Sequence, residues 1–194
     1  GFTMDNGAAG EDGKAFSKQA TLSLSGNFGE LAFGRVGGLA SYEGSYSIWD
    51  ASPLGTDYLQ GGLGNTFVTG QINNNSIVPE FGGLKIHAQY SNGVEEDTQK
   101  WSRNSHYYGL GATYEIGNLS LAGIVERFDN KGAENKDKAT MVYSLSATYD
   151  FEVAKAFFGY QYASRFHGFD QLEDVTVAGK GMNQNAFTLG AEVP

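Results

Sequence analysis

The sequence predicts an all-β chain folded as the antiparallel, up-and-down wall of a transmembrane β-barrel. Three observations carry this. Segment after segment alternates apolar and polar side chains with period two, the pattern of a strand with one apolar and one polar face. Those segments run to about 8–12 residues, the length a tilted strand needs to cross a bilayer. The connections between them alternate between short and long, as in a membrane barrel with tight turns on one rim and longer loops on the other.

Taken in order, Gly1–Met4 (GFTM) reads as the last residues of a strand. Ala15–Gly26 is a strand of open phase, because Phe16, Ala20, Leu22 and Leu24 share their face with Lys18. Either Lys18 snorkels, or that apolar set faces inward where the wall meets a neighbouring subunit. Further on, Leu84, Ile86, Ala88 and Tyr90 interleave with Lys85, His87, Gln89 and Ser91. Tyr108, Leu110, Ala112 and Tyr114 interleave with Gly109, Gly111, Thr113 and Glu115. Leu119–Phe128 (LSLAGIVERF) is a second strand of open phase. Met141 to Tyr149, Ala156 to Tyr162 and Phe187 to Val193 alternate clearly. The total is about nine strands plus the opening stub.

Between them, Asn27–Gly29, Pro79–Gly83, Gly117–Asn118 and Asp150–Val153 read as short turns. Asp5–Lys14, Gly37–Asn65, Asn92–Asn104, Asp129–Lys138 and His167–Met182 read as long loops. A soluble sandwich with Greek-key connections has no reason to keep that rhythm. Tyr90, Tyr108, Phe128, Tyr149 and Tyr162 at strand ends are expected to form aromatic girdles.

Composition agrees. The 194 residues include 28 glycines, 13% aromatics and three prolines. Mean hydropathy is −0.34, and a barrel that alternates lipid-facing and inward-facing residues averages out to such a value. There is no cysteine, which excludes disulfides and thiolate metal sites. A net charge of −9 disfavours nucleic acid, whose phosphates need a basic partner face.

One connection stands apart. Gly37–Asn65 (GGLASYEGSYSIWDASPLGTDYLQGGLGN) is far longer than an ordinary strand connection, and such loops are usually functional or disordered. Tyr42, Tyr46, Trp49 and Tyr58 ask for something to pack against. Glu43, Asp50 and Asp57 make it acidic, with no Lys or Arg between Arg35 and Lys85. The expectation is a folded acidic loop tucked against the inside of the barrel, narrowing a channel. Gly109 and Gly111 read as small inward residues that leave room for water or for that loop.

Catalytic and metal chemistry find no constellation. His87, His106 and His167 lie on different segments without metal-ligand spacing. The competing readings are a complete outer-membrane barrel enzyme of about ten strands, with His106 or His167 and Asp97 or Asp170 as a rim dyad, and a soluble β-sandwich binding module.

FTMDNGAAG, then KQATLSLSGNFGELAFGR, then NNNSIVPEFGGLKIHAQYSNG resemble the Gram-negative general diffusion porins of β-proteobacterial type. The resemblance implies a 16-stranded homotrimeric barrel in outer-membrane lipid, passing small hydrophilic solutes and ions without a cofactor. In that family the third loop folds inward as an eyelet, opposite basic residues on the wall. By resemblance residues 37–65 are that loop and residues 1–194 an internal segment, roughly strands three to twelve. Glu43, Asp50 and Asp57, with Tyr42 and Tyr46, are then the constriction candidates. Lys18 is the opposing base, Lys85, Lys155 and Arg165 line the lumen wall, and Arg35 faces the pore or a subunit interface. Gln71–Asn74 lacks an Arg the family often has, and with the acidic loop this leans the expected selectivity towards cations.

Overall fold

The computed structural model describes residues 20–36, 39, 72–91, 106–129, 139–166 and 182–193. They form β1 (Ala20–Gly26), β2 (Gly29–Val36), β3 (Ile72–Val78), β4 (Glu80–Phe81), β5 (Leu84–Ser91), β6 (Tyr107–Ile116), β7 (Leu119–Phe128), β8 (Thr140–Asp150), β9 (Lys155–Phe166) and β10 (Met182–Glu192). All lie in one antiparallel sheet of order β1-β2-β3-β5-β6-β7-β8-β9-β10, with the two-residue β4 paired to β5. β1 and β10 are its two edges and do not pair with each other, so the described sheet is open.

β3 and β4 make a single crossing. Ile77 stands opposite Ala88 and Glu80 opposite Lys85, which is one unbroken register along β5. Between them Ile86 N donates to the Pro79 carbonyl at 3.1 Å. Proline has no N–H to return the bond, so the ladder is interrupted but the strand is not. The ten strands therefore make nine crossings.

The turns fall on one rim. β1 and β2 join through Asn27–Phe28, with Gly26 opposite Gly29. Pro79–Gly83 is less of a turn than the sequence suggests, since Glu80 and Phe81 pair with Lys85 and Leu84. Only Gly82 and Gly83 turn, at φ of 53° and 85°. Positive φ at both central residues is what a two-residue hairpin turn needs to match the twist of its strands. Gly117–Asn118 joins β6 to β7, and Phe151–Ala154 joins β8 to β9, closed by Phe151 N to the Ala154 carbonyl at 2.8 Å. At the opposite rim β9 carries a bulge. Ala163 pairs with Gln184 and Phe166 with Met182, so β9 has one residue more than β10 over that stretch. Arg165 takes the irregularity, at φ 55°, and its amide donates to Asn183 Oδ1 at 3.2 Å.

Period two gives the sheet two different faces. On one, Leu22 (69% exposed), Leu110 (58%), Leu145 (51%) and Leu189 (80%) are exposed, with Val125, Phe158 and Phe187 among them. Burying these side chains in lipid removes their contact with water, and a monomer in water rarely exposes so extended an apolar face. Aromatic pairs flank the belt: Tyr90–Tyr108 at 5.3 Å and Tyr143–Tyr162 at 6.1 Å towards the loop rim, Tyr149–Phe151 at 4.5 Å at the turn rim. Phe128, expected in that girdle, is instead 8% exposed on the other face, because it shares parity with Ile124 and Glu126. It packs on Tyr107 with ring centroids 5.0 Å apart.

The other face carries Gln89, Ser91, Glu126, Thr140, Ser144 and Gln161, all buried, with Gly109, Gly111 and Gly159 between them. The two open phases resolve here. In β1, Leu22 and Leu24 join the exposed apolar belt. In β7, Leu121 and Val125 face outward while Ala122 and Ile124 are buried inward, so this strand is apolar on both sides. The reason is Leu39, which is fully buried against Ala122 and Ile124. Ala186 of β10 packs on the same cluster although it lies three strands along the sheet, so the inward face is concave.

Candidate functional site

The concave face gathers its polar groups around Tyr107. β6 begins at this residue, and period two turns its ring inward, over Gly109 two positions on. A Cβ on Gly109 would collide with the Tyr107 ring and stand 3.1 Å from Leu39 Cδ1, so only glycine leaves the ring its place. Gln89 and Glu126 flank Gly109 in register on β5 and β7. All three side chains therefore meet at one level of the wall.

The Tyr107 hydroxyl donates to Glu126 Oε1 at 2.7 Å and lies 3.4 Å from Gln89 Oε1. A phenol has one proton to give, and the short bond to the carboxylate takes it. The same oxygen accepts the Leu39 amide at 3.0 Å. Tyr107, Glu126 and Leu39 are all at most 1% exposed. A backbone amide of the long 37–65 connection is thus tied to the inner wall through one hydroxyl.

One level towards the turn rim, His87, Gly111, Ile124, Ser144 and Gln161 lie side by side across β5–β9. Gln161 Nε2 donates to Ser144 Oγ at 2.8 Å. His87 Nδ1 makes no hydrogen bond among the described residues. This stretch of wall combines hydrogen-bonding groups with small residues and the apolar Ile124. Among the described residues no group of three His, Cys, Asp or Glu could hold a metal ion.

Lys85 lies opposite Thr113, on the face of His87 and Gln89, and its side chain is exposed near the turn rim. Lys155 is nearer that rim still, 3.7 Å from Asp150 Oδ2. Arg165 is exposed at the β9 bulge by the loop rim. Arg35 stands in β2 between Ala20 and Asn73, and its side chain lies outside the described residues. Lys18, Tyr42, Glu43, Tyr46, Asp50 and Asp57 lie outside them altogether, as do Asp97, His167 and Asp170. His106 is 2% exposed, beside Tyr90 at 3.3 Å and stacked on its ring.

Tyr107, Glu126 and Gln89 escaped the sequence reading. Their signal was there in β7, where a charge and apolar residues share one face and the opposite face is apolar too. A wall strand of that kind is covered on both sides.

Comparison with known proteins agrees with this architecture. Residues 1–194 match the family described as Gram-negative porin. An outer membrane porin protein of Bordetella pertussis is 29% identical over 178 residues, 82% of this chain and 45% of the relative. Outer membrane porin protein 32 of Delftia acidovorans is 28% identical over the full chain and 56% of its own length. The chain therefore spans about half the length of these curated relatives. A two-faced antiparallel sheet with tight turns on one rim and a family match from end to end place this chain in the Gram-negative porin family, a family of the bacterial outer membrane.

Proposed function

We propose that the whole protein forms a water-filled channel through the outer membrane, for passive diffusion of small hydrophilic solutes and ions, with no catalytic turnover. The observation that carries this reading is the burial of Leu39 on the polar face of a sheet whose other face is a belt of exposed leucines. Lipid takes the belt, water takes the concave face, and the 37–65 connection enters on the water side.

In this reading residues 37–65 form the constriction. Glu43, Asp50 and Asp57 supply its acidic side, with Tyr42 and Tyr46 packing the loop, and Lys18 opposes them from the wall. Lys85 and Arg165 act at the two mouths, and Arg35 serves a subunit interface in a homotrimer. A one-sided charge lining between low-dielectric walls concentrates counter-ions, which sets the preference. Cations are therefore favoured.

The test is a planar bilayer holding the full-length protein in a salt gradient. A stepwise conductance with a cation-selective reversal potential is expected. A chloride-selective potential overturns the charge assignment, and absence of any conductance overturns the channel.

A further inference from the structure

We infer that Tyr107, held by Glu126, is the positioning residue that fixes the entry of the 37–65 connection to the channel wall and so sets how far that connection projects across the pore. The inference rests on the diffusion-channel reading and adds to it a residue outside the loop.

Four observations converge. Leu39 is fully buried, and its amide donates to the Tyr107 hydroxyl at 3.0 Å. That hydroxyl is not free to turn away, since its proton is committed to Glu126 at 2.7 Å. The ring is wedged between Phe128, at 5.0 Å, and the gap left by Gly109. Finally, the Leu39 side chain sits in a notch that β7 makes by carrying Ala122 and Ile124 inward.

Each part has a reason only in relation to Leu39. A phenol buried on a wet wall needs partners for its oxygen, and here one partner is the wall and the other is the connection. Glu126 is the stronger kind of acceptor, because a carboxylate roughly doubles the strength of the bond it receives. Its pull orients the hydroxyl so that a lone pair faces the Leu39 amide. The result is an attachment at Leu39, the third residue after β2. Pinned there, the connection leaves the wall from a fixed point.

The test uses the full-length protein, with Tyr107→Phe and Glu126→Gln. Phenylalanine keeps the ring packing and removes one oxygen, so the variant should still fold, with its heat stability lowered only by the loss of that oxygen's hydrogen bonds. Hydrogen–deuterium exchange in the peptide containing Leu39 should then become roughly five- to tenfold faster, the loss expected for one buried hydrogen bond. In single-channel records the same variant should flicker severalfold more often. Glu126→Gln retains an acceptor and should fall closer to wild type on both readings. Unchanged exchange at Leu39 in Tyr107→Phe overturns the inference, as does an equal effect of both variants. If the wild type carries no current, the channel reading fails while the exchange measurement still decides the attachment.

Discussion

Gln161 and Ser144 face each other across β9 and β8, the amide Nε2 donating to the hydroxyl at 2.8 Å with both side chains buried. Replacing Ser144 by Ala leaves that amide without its acceptor in a site water reaches poorly. The expected loss is about 1–3 kcal/mol. Ser144→Thr keeps the oxygen and should recover most of it. Urea unfolding of the lipid-reconstituted protein, followed by tryptophan fluorescence, measures both.

The apolar belt makes a sharper prediction, because the two faces of one strand should respond differently. Leu145 is at the centre of β8 and faces outward, so Leu145→Arg puts a charge in hydrocarbon at a cost of about 2–4 kcal/mol. Thr148→Arg, on the opposite face, should cost much less. Equal losses in the same unfolding assay would mean the faces are wrongly assigned.

At the turn rim, Gly82 has positive φ and open space where a Cβ would go. Asparagine tolerates that backbone, so Gly82→Asn should change stability by no more than about 0.5 kcal/mol. Gly83 is different. A Cβ there meets the Glu115 carbonyl at 3.0 Å at φ 85°, so the β-branched Gly83→Val should cost about 1–3 kcal/mol. Thermal melting of the full-length protein separates the two variants.

For selectivity, neutralising Glu43, Asp50 and Asp57 together as Gln, Asn and Asn should move the reversal potential in a salt gradient towards zero. The unitary conductance should remain within about twofold, since counter-ion concentration changes and the wall does not. A potential that does not move would take these three carboxylates out of the constriction.

The strands were legible because period two is written into them. Lys85 to Tyr90, Tyr108 to Tyr114 and Met141 to Tyr149 each show from their alternation alone which side chains share the apolar face. The turns were legible through Gly82–Gly83 and Gly117–Asn118. What stayed closed depends on partners far away in the chain. Phe128 carries the aromatic signal of a girdle residue, and only its register with Tyr107 shows that it faces inward. The phase of β7 could not be read because two environments, lipid and Leu39, both ask for apolar side chains. Pro79 looked like the start of a turn, and only the register with β5 reveals a strand running through it. Nor does any local pattern announce that Tyr107 binds an amide 68 positions earlier.

The neighbour-to-neighbour strand order has a kinetic meaning. Apart from the step from β3 to β5, which the short β4 continues, every ladder joins strands adjacent in sequence, so tight hairpins such as β6–β7 and β8–β9 can zip without waiting for distant parts of the chain. The bond from Leu39 to Tyr107 is of another kind, closing a separation of 68 residues and bearing the matching closure entropy. It has no surface to land on until β5, β6 and β7 are side by side. The wall is therefore expected to form first and the Leu39 attachment last, so, with 37–65 as the proposed constriction, the newborn barrel passes through a wide, unplugged stage. Double-jump refolding into vesicles loaded with a large neutral sugar should catch that stage as a brief leak.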